Sequence, residues 1–272
     1  MYRERCRVLA NGRVAPGHYV LRLGSARIAR AAGPGRFVQV LCADSSEPLL
    51  GRPFSFLTAR PGSFDLLYHV VGQGTRILQG LQKGDALWVL GPLGNGFGTK
   101  LGPGAEAALV GGGVGIPPLV HLAETLLKTR AVRPGKIRVF LGARDSTLLL
   151  CLKDFRKLGV DLRLATDDGS RGTKGFVTRP LERYLAEAAP AGTRTTVYTC
   201  GPTPMLKAVG ALAERYGVPC QTSVEVPMAC GFGACLGCAI KVNDAAGSST
   251  DFRYAIACCE GPVFDAAALV WD

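Results

Sequence analysis

The stretch MACGFGACLGC at residues 228–238 places three cysteines, Cys230, Cys235 and Cys238, in one glycine-rich run. A fourth cysteine follows about twenty residues later, as Cys258 or Cys259 in the segment IACCEGP. The spacing C-x4-C-x2-C with a distant fourth cysteine is the ligand pattern of plant-type [2Fe–2S] sites. Glycines between the ligands let the backbone approach the cluster without a Cβ in the way. The run therefore predicts a [2Fe–2S] site.

Two other uses of these cysteines have to be weighed, a structural zinc site and a set of disulfides. Zinc sites usually combine one short C-x2-C pair with a second short pair, and the sequence has no second pair of that kind. The chain has ten cysteines and no apolar segment typical of an export signal near its start. We therefore expect a reducing, cytoplasmic environment and cysteines that serve metal or redox chemistry.

The net charge of +11 raises the question of a nucleic-acid partner. The arginines are scattered, without a basic run or interleaved aromatic residues, so a solvated basic surface is the better interpretation. An acidic protein partner or phosphorylated cofactors would also suit this charge. The most apolar stretch, AALVGGGVGIPPLV at 107–120, is broken by glycines and prolines. We expect neither nucleic-acid binding nor a membrane span.

The chain is organised into three parts. Residues 1 to about 102 contain short alternating runs between Gly and Pro turns, which predict an antiparallel β-barrel. These runs lie at 19–23, 37–41, 53–57, 64–71 and 86–90. Residues 103–220 alternate strand and helix patterns, which predict a parallel α/β sheet with a nucleotide at the carboxyl ends of its strands. Residues 221–272 form a small, turn-rich cysteine module.

Two motifs in the barrel region indicate a phosphate site. Arg52 begins the strand segment RPFS, and a strand arginine can bind a phosphate in bidentate fashion. Gly72 and Gly74 lie where the next strand meets a short helix, and backbone N–H groups at a helix start attract pyrophosphate. The simpler alternatives are a core role for Phe54 and an ordinary turn with Thr75 as helix cap. Taken together, the motifs favour a dinucleotide clamp.

The second region carries a glycine turn, GGGVGIPP at 111–118, between a strand and a helix. It resembles a dinucleotide-binding turn without the strict G-x-G-x-x-G spacing. Cys200 and Gly201 end a later strand, where Cys200 either faces the nucleotide crevice or is a small buried residue. The carboxylates of TDDGS at 166–170 either reach ribose hydroxyls or stabilise a turn.

The order of these motifs, RPFS, GQGT, GGGVGIPP and then CGP, resembles the ferredoxin–NADP reductase superfamily. MACGFGACLGC followed by CCEGPVFD, together with TDDGSRGTKGFVT, is similar to the electron-transfer subunits of two-subunit, NAD-linked dihydroorotate dehydrogenases. The resemblance covers nearly the whole chain. It implies a multidomain α+β and α/β protein with a FAD-binding barrel at 1–102, an NAD-binding domain at 103–220 and a [2Fe–2S] module at 221–272.

The resemblance also implies particular site residues. The expected FAD contacts are Arg52, Pro53, Phe54, Ser55, Leu67, Tyr68, His69, Gly74 and Thr75. The expected nucleotide contacts are Gly112, Gly113, Gly115, Cys200 and Gly201, and the expected metal ligands are Cys230, Cys235, Cys238 and Cys258. Two positions depart from the family pattern: Glu260 replaces an aspartate, and a second cysteine, Cys259, follows the fourth ligand. Since neighbours in an extended segment point to opposite sides, we expect Cys259 to face away.

In the family that this sequence resembles, a partner subunit with FMN oxidises dihydroorotate to orotate in pyrimidine biosynthesis. The resemblance implies a heterotetramer with this partner and electron passage between NAD(H), FAD, the [2Fe–2S] cluster and the partner's flavin. No side chain is required as an acid or base, so we assign no catalytic residue. An NAD(P)H–ferredoxin reductase subunit, a hydrogenase or sulfide dehydrogenase diaphorase subunit, and a zinc-stabilised binding module stay open. NADH and NADPH are not distinguished, although Arg144 or Arg171 could meet a 2′-phosphate.

Overall fold

The computed structural model describes residues 1–44, 47–243 and 252–271. Its first sheet is a closed antiparallel barrel of six strands in the order β1-β2-β5-β4-β3-β6. The strands are β1 (Tyr2–Ala15), β2 (His18–Gly24), β3 (Phe37–Leu41), β4 (Arg52–Arg60), β5 (Ser63–His69) and β6 (Ala86–Leu93). Helices α1 (Ala26–Ala31) and α2 (Gln73–Gly80) lie in the connections. The predicted antiparallel barrel is confirmed.

Strand β3 shows how the barrel is positioned in the molecule. Val38 and Val40 alternate into the barrel core, where neither side chain is accessible to solvent. The outward-facing Phe37 and Gln39 are also buried, at 3% and 2% exposure. An outward face of a barrel strand is buried only when another part of the chain covers it. Here the cover is the cysteine-bearing segment, because Phe37 packs in one apolar cluster with Met228 and Cys258.

The second sheet has seven strands in the order β10-β9-β8-β7-β11-β12-β15. Its strands are β7 (Glu106–Gly112), β8 (Ile137–Ala143), β9 (Asp161–Thr166), β10 (Thr173–Lys174), β11 (Thr195–Cys200), β12 (Cys220–Ser223) and, after the hairpin strands β13 (Ala239–Asn243) and β14 (Phe252–Ile256), β15 (Val263–Asp265). All neighbours are parallel except β15, which runs antiparallel to β12. The predicted parallel sheet is confirmed.

The helices that cover this sheet are α3 (Pro117–Lys128), α4 (Leu152–Lys157), α5 (Thr178–Ala188) and α6 (Thr203–Arg215). The sequence pattern over 147–159 suggests a longer helix than the observed α4. Helix α4 begins only after Cys151, which has left-handed backbone with φ of 59°. Asp145 caps a separate short turn by accepting the backbone N–H of Thr147. This local capping and the left-handed residue together shorten the helix.

Part of the chain after residue 220 belongs to the β-sheet of the nucleotide domain. Strands β12 and β15 extend the nucleotide-domain sheet, while β13 and β14 pair as an antiparallel hairpin. The cysteine-bearing segment between β12 and β13 packs against Phe37 and Leu93 of the barrel. The limits 1–102, 103–220 and 221–272 therefore stay predictions. Within the described ranges, no helix combines the length and apolarity needed to cross a membrane.

Candidate functional site

A cleft of about 370 Å³ opens between the barrel and the carboxyl end of the second sheet. Its size falls within the range of cofactor pockets. It is lined by eleven of the predicted cofactor residues, from both sheets: Arg52, Pro53, Phe54, Ser55, Leu67, Tyr68, His69, Thr75, Gly115, Cys200 and Gly201. The chain thus brings the RPFS strand, its neighbour β5 and the strand ends of the nucleotide sheet to one place.

One end of this cleft is formed by β4 and the start of α2. A Cβ on Gly74 would lie 3.1 Å from Nε of Arg52, a tight contact that glycine avoids where the helix start approaches the guanidinium. Thr75 Oγ1 accepts the backbone N–H groups of Val71 at 2.9 Å and Gly72 at 3.1 Å. The helix cap is Gly72, and Thr75 lies inside the first turn. A guanidinium beside a helix start fits a pyrophosphate.

An aromatic wall continues the cleft along the barrel. The rings of Phe54 and Tyr68 lie 6.0 Å apart, and Phe54 also packs on the barrel core. The Tyr68 hydroxyl donates to Oδ1 of Asn11 at 3.1 Å. Burial raises the pKa of Tyr68 to about 12, so it remains a neutral phenol. This wall offers apolar surface for a planar ring system, and the core role of Phe54 coexists with its place in the cleft.

A second cleft of about 770 Å³ lies along the carboxyl ends of the nucleotide-sheet strands. Gly112 and Gly113 line it, as do Arg144, Asp167 and Phe176. The turn after β7 comes very close to the end of β11, because a Cβ on Gly115 would lie 2.5 Å from the carbonyl carbon of Cys200. This approach holds two strand ends together where α/β folds bind nucleotides.

The two clefts meet at residues that belong to both. His69, Val114 and Glu225 line each of them. The ring of His69 stacks on that of His18, with centroids 4.3 Å apart and planes at 7°. Glu225 was not singled out in the sequence, although its place just after β12, at the carboxyl end of a parallel strand, is a signal for a crevice residue. A ligand in one cleft therefore lies next to a ligand in the other.

Cys200 lines the first cleft and is only 8% exposed. Burial raises the pKa of its thiol to about 12; a hydrogen bond with Ser223 acts against this, and the nearby Glu225 adds to it. The group is therefore a neutral thiol at physiological pH. Cys200 is thus a small buried side chain, and it lines the first cleft, whereas the cleft along the strand ends does not include it.

The cysteine loop, defined here as residues 228–238, is shaped to present sulfur atoms. Gly231 and Gly233 have φ of 82° and 87°, which glycine adopts without strain. Backbone N–H groups point at three of the sulfurs: Phe232 N lies 3.5 Å from Cys230 Sγ, Gly237 N 3.5 Å from Cys235 Sγ, and Gly233 N 3.1 Å from Cys258 Sγ. Such N–H···S contacts stabilise thiolates bound to iron.

The electrostatics of Cys230 suit a metal ligand. Burial raises the pKa of this thiol, but hydrogen bonds from the backbone N–H of Cys235 and of Phe232 outweigh burial and lower the pKa to about 6. The Cys235 thiol also interacts with Cys230, and the thiols of both Cys238 and Cys259 interact with Cys258. A [2Fe–2S] site requires four such sulfur ligands. Across the described residues, no three His, Cys, Asp or Glu side chains are arranged around a single metal ion.

The expectation that Cys259 faces away from Cys258 is wrong. Residues 257–260, here called the cysteine turn, form a turn and not an extended segment, so adjacent side chains need not alternate. The two sulfurs lie 3.7 Å apart, and a Cβ on Gly233 would be 2.7 Å from Cys259 Sγ. The two cysteines differ in burial, since Cys258 is 2% exposed and Cys259 is exposed.

Comparison with protein families and relatives agrees with this geometry. The iron-sulfur cluster binding domain of dihydroorotate dehydrogenase B matches residues 225–270, and the oxidoreductase NAD-binding domain matches 109–210. The dihydroorotate dehydrogenase B (NAD(+)) electron transfer subunit of Desulforamulus reducens is 40% identical over 268 residues, covering 98% of this chain and 97% of that protein. The corresponding subunit of Bacillus caldolyticus is 40% identical over 272 residues, covering 98% of each.

Solved structures give the same fold. The structure of an NADH-dependent reduced ferredoxin-NADP oxidoreductase matches with a TM-score of 0.81 and 28% identity, covering 98% of this chain and 90% of that chain. A ferredoxin NADP+ reductase from Neisseria gonorrhoeae with bound FAD and NADP matches with a TM-score of 0.65 and 13% identity, covering 79% of this chain and 92% of that one. The second likeness shows the fold alone.

Barrel, nucleotide sheet and cysteine loop together define an oxidoreductase with the fold of the ferredoxin–NADP reductases and an iron–sulfur binding segment. Within this class, the chain belongs to the family of electron transfer subunits of dihydroorotate dehydrogenase B (NAD(+)). The family resemblance and the iron–sulfur interpretation of the cysteine spacing are confirmed.

Proposed function

We propose that this chain passes electrons between NAD(H) and an FMN-containing catalytic subunit that converts dihydroorotate to orotate. FAD and one [2Fe–2S] cluster would link the two within the chain. One observation supports this most strongly: the two adjoining clefts and the cysteine loop lie against the same barrel, with His69, Val114 and Glu225 shared by the clefts. A nucleotide, a flavin and a cluster can then lie side by side in that order.

The first cleft would hold FAD. Arg52, Gly74 and Thr75 would bind the pyrophosphate, with Ser55 and Leu67 to His69 lining the remaining wall. A flavin bound there can exchange electrons in pairs, as hydride transfer requires, and singly, as an iron–sulfur cluster requires. The chain would contribute binding, orientation and exclusion of water, and Cys200 would contribute a neutral surface to the first cleft.

The second cleft would hold NAD(H). The backbone of Gly112 and Gly113 in the glycine turn would approach the cofactor's phosphates, while Gly115 holds this turn against Cys200 and lines the first cleft. Phe176 is 72% exposed at the edge of this cleft and offers a ring face to an adenine base. We propose NADH over NADPH because the curated relatives are NAD(+)-linked, although Arg144 also lines the cleft.

The cluster ligands would be Cys230, Cys235, Cys238 and Cys258. The partner subunit would dock on the face of the cysteine loop, where Phe232 and Leu236 are 48% and 59% exposed beside the ligands. Exposed aromatic and aliphatic side chains next to a redox site suit a protein interface. All ten cysteines are free thiols, which fits the cytoplasm, and a heterotetramer follows the family assembly.

Co-expression with the catalytic subunit tests this proposal. We expect a stable complex that reduces NAD+ with dihydroorotate, and we expect Phe232→Ser to weaken assembly while leaving flavin and iron content unchanged. Leu9→Ser, on the exposed part of β1, is the matched surface control. A complex that forms but shows no NAD+ reduction with dihydroorotate would contradict the proposal.

A second candidate is favoured by the whole-chain likeness to the NADH-dependent reduced ferredoxin-NADP oxidoreductase. In that case the partner would exchange electrons with a ferredoxin. Mass spectrometry of the partner that co-purifies with the untagged native complex separates the two candidates. A ferredoxin-linked partner would show that dihydroorotate is not the substrate of the complex. The electron-transfer role of this chain would still stand.

A further inference from the structure

Two amide side chains, one on a barrel strand and one just after a barrel strand, bind the cysteine loop and the cysteine turn. Gln39 lies on β3, and Asn95 follows the end of β6. Each contacts the cysteine-bearing part of the chain through main-chain carbonyl groups more than a hundred residues away in sequence. Neither side chain belongs to the clefts or to the sulfur ligands, so the proposed function does not use them.

Gln39 holds the cysteine loop on both sides of Cys230. Its Nε2 donates to the carbonyl oxygen of Met228 at 2.8 Å, and both groups are buried. A Cβ on Gly231 would lie 2.6 Å from Gln39 Cγ, so the loop backbone rests directly on this side chain. Gln39 Oε1 is buried without a hydrogen-bond partner among the described residues. Burying an amide group unpaired is costly, which marks Gln39 as a constrained position.

Asn95 holds the cysteine turn in the same way. Its Nδ2 donates to the carbonyl oxygens of Cys259 at 2.9 Å and Glu260 at 3.1 Å. Its backbone N–H donates to the carbonyl oxygen of Gly261 at 2.6 Å. A Cβ on the preceding Gly94 would lie 2.7 Å from that oxygen, so the two backbones are in direct contact. The turn that carries Cys258 is therefore fixed to the end of β6.

Gln39 is also next to the flavin strand. In the β3–β4 register, Gln39 pairs with Pro53 and Phe37 pairs with Ser55. Paired strands are ~4.8 Å apart, so one strand spacing separates the loop-holding amide from the RPFS segment. The cysteine loop and the flavin cleft are thus attached to adjacent strands of one rigid barrel.

We propose that Gln39 and Asn95 are positioning residues that fix the distance between the flavin cleft and the iron–sulfur cluster. This inference rests on the proposed function, since it requires both cofactors. Each transfer between them moves one electron and neither makes nor breaks a bond. The rate of transfer therefore depends on the separation and orientation of the two cofactors. Gln39 fixes the cysteine loop and Asn95 fixes the cysteine turn, so the two side chains hold both segments that carry the sulfur ligands.

The test uses the purified full chain with Gln39→Leu, Asn95→Ala and the control Gln79→Leu. Gln79 is also a barrel-side amide, but it donates to the Tyr19 hydroxyl, away from the cysteine loop. For each protein we would measure iron and acid-labile sulfide, the EPR spectrum after reduction, and anaerobic stopped-flow traces with NADH. Stopped-flow absorbance separates flavin reduction from the later reduction of the iron–sulfur cluster.

We expect Gln39→Leu and Asn95→Ala to keep flavin reduction by NADH and to change the EPR line shape. We expect their flavin-to-cluster rate to fall at least about fivefold, as small misplacements cost much larger factors in other enzymes. If Gln39→Leu does not fold, Gln39→Glu decides, because it keeps the size and loses the amide donor. Unchanged EPR spectra and rates in the folded variants would overturn the inference. If the parent protein is purified and contains neither flavin nor iron, the proposed function itself is overturned.

Discussion

At the scale of single residues, we expect Arg52, which lines the first cleft, to contribute to flavin binding through the pyrophosphate. Arg52→Ala removes a charged phosphate contact of roughly 1.5–3 kcal/mol, so FAD occupancy should fall about tenfold or more. Iron content should not change, because the sulfur ligands lie on another segment. Flavin and iron assays on the purified variant check this, with Arg27→Ala on the exposed face of α1 as control. Full flavin retention would show that the RPFS motif has another role.

The adjacent cysteines give a second prediction at this scale. Cys258 is buried, accepts the N–H of Gly233, and donates its own backbone N–H to Cys238 Sγ at 3.4 Å. Cys259 is exposed, although its sulfur lies nearby. We therefore expect Cys258→Ser to lose most of the iron and sulfide with FAD still bound, and Cys259→Ser to keep them. The reverse result would move the fourth ligand to Cys259.

Glu260 is a residue whose departure from the family pattern the structure explains. Its Oε1 accepts the N–H of Ile256 at 2.8 Å, and its Oε2 binds Arg253 at 2.7 Å. The glutamate therefore closes the cysteine turn and pairs with a side chain of β14. The sequence alone showed only that an acidic residue was retained there.

At the scale of elements, the contact between the glycine turn after β7 and the end of β11 controls the nucleotide site. In Gly115→Ala the new Cβ would be 2.5 Å from main-chain atoms of Cys200 and Gly201, which cannot move like a side chain. We expect NADH-dependent flavin reduction to slow at least about tenfold while the iron stays bound. Flavin content is measured alongside, because Gly115 and Cys200 line the first cleft. Gly12→Ala, with open space around it, is the control for stopped-flow comparison. Normal NADH kinetics in Gly115→Ala would contradict the assigned nucleotide cleft.

Helix α3 carries a pH-sensitive contact with the barrel. His121 is 8% exposed, packs edge-on against Phe56, and burial lowers its pKa from 6.5 to about 4. The unfolded chain then takes up the proton first, so the free energy of unfolding falls as pH drops from about 6.5 to about 4. The loss is about 2 kcal/mol at pH 5.

His121→Leu should remove this part of the acid sensitivity. We expect the difference in unfolding free energy between pH 7.5 and pH 5 to shrink by about 2 kcal/mol relative to the parent, measured by denaturant titration. An identical pH dependence in parent and variant would show that His121 is not the group responsible.

Elements with strong patterns were predictable, and the failures have local causes. The runs at 19–23, 37–41 and 86–90 lie within β2, β3 and β6, because short alternating runs between glycine turns have few alternatives. Helix α4 is shorter than its pattern because Cys151 adopts left-handed backbone. The paired orientation of Cys258 and Cys259 depends on a turn that the local sequence does not specify.

At the scale of the whole molecule, the sequence predicted which modules are present but not how they are joined. Nothing in residues 221–272 shows that β12 and β15 extend the nucleotide sheet, because strand pairing across distant segments is a tertiary property. The position of Glu225 in both clefts depends on the same long-range packing. So do the hydrogen bonds of Gln39 and Asn95 to the cysteine loop and the cysteine turn. They are the features that bring two clefts and a sulfur site onto one barrel.

We propose that electrons pass within this chain from NADH through a flavin to a [2Fe–2S] cluster. Anaerobic titration of the purified protein with NADH, followed by visible absorbance and low-temperature EPR, tests it most directly. We expect loss of flavin absorbance and an EPR signal from one reduced [2Fe–2S] cluster per chain. A colourless protein that contains zinc, or a flavin that is reduced by NADH while the cluster stays oxidised, would contradict it.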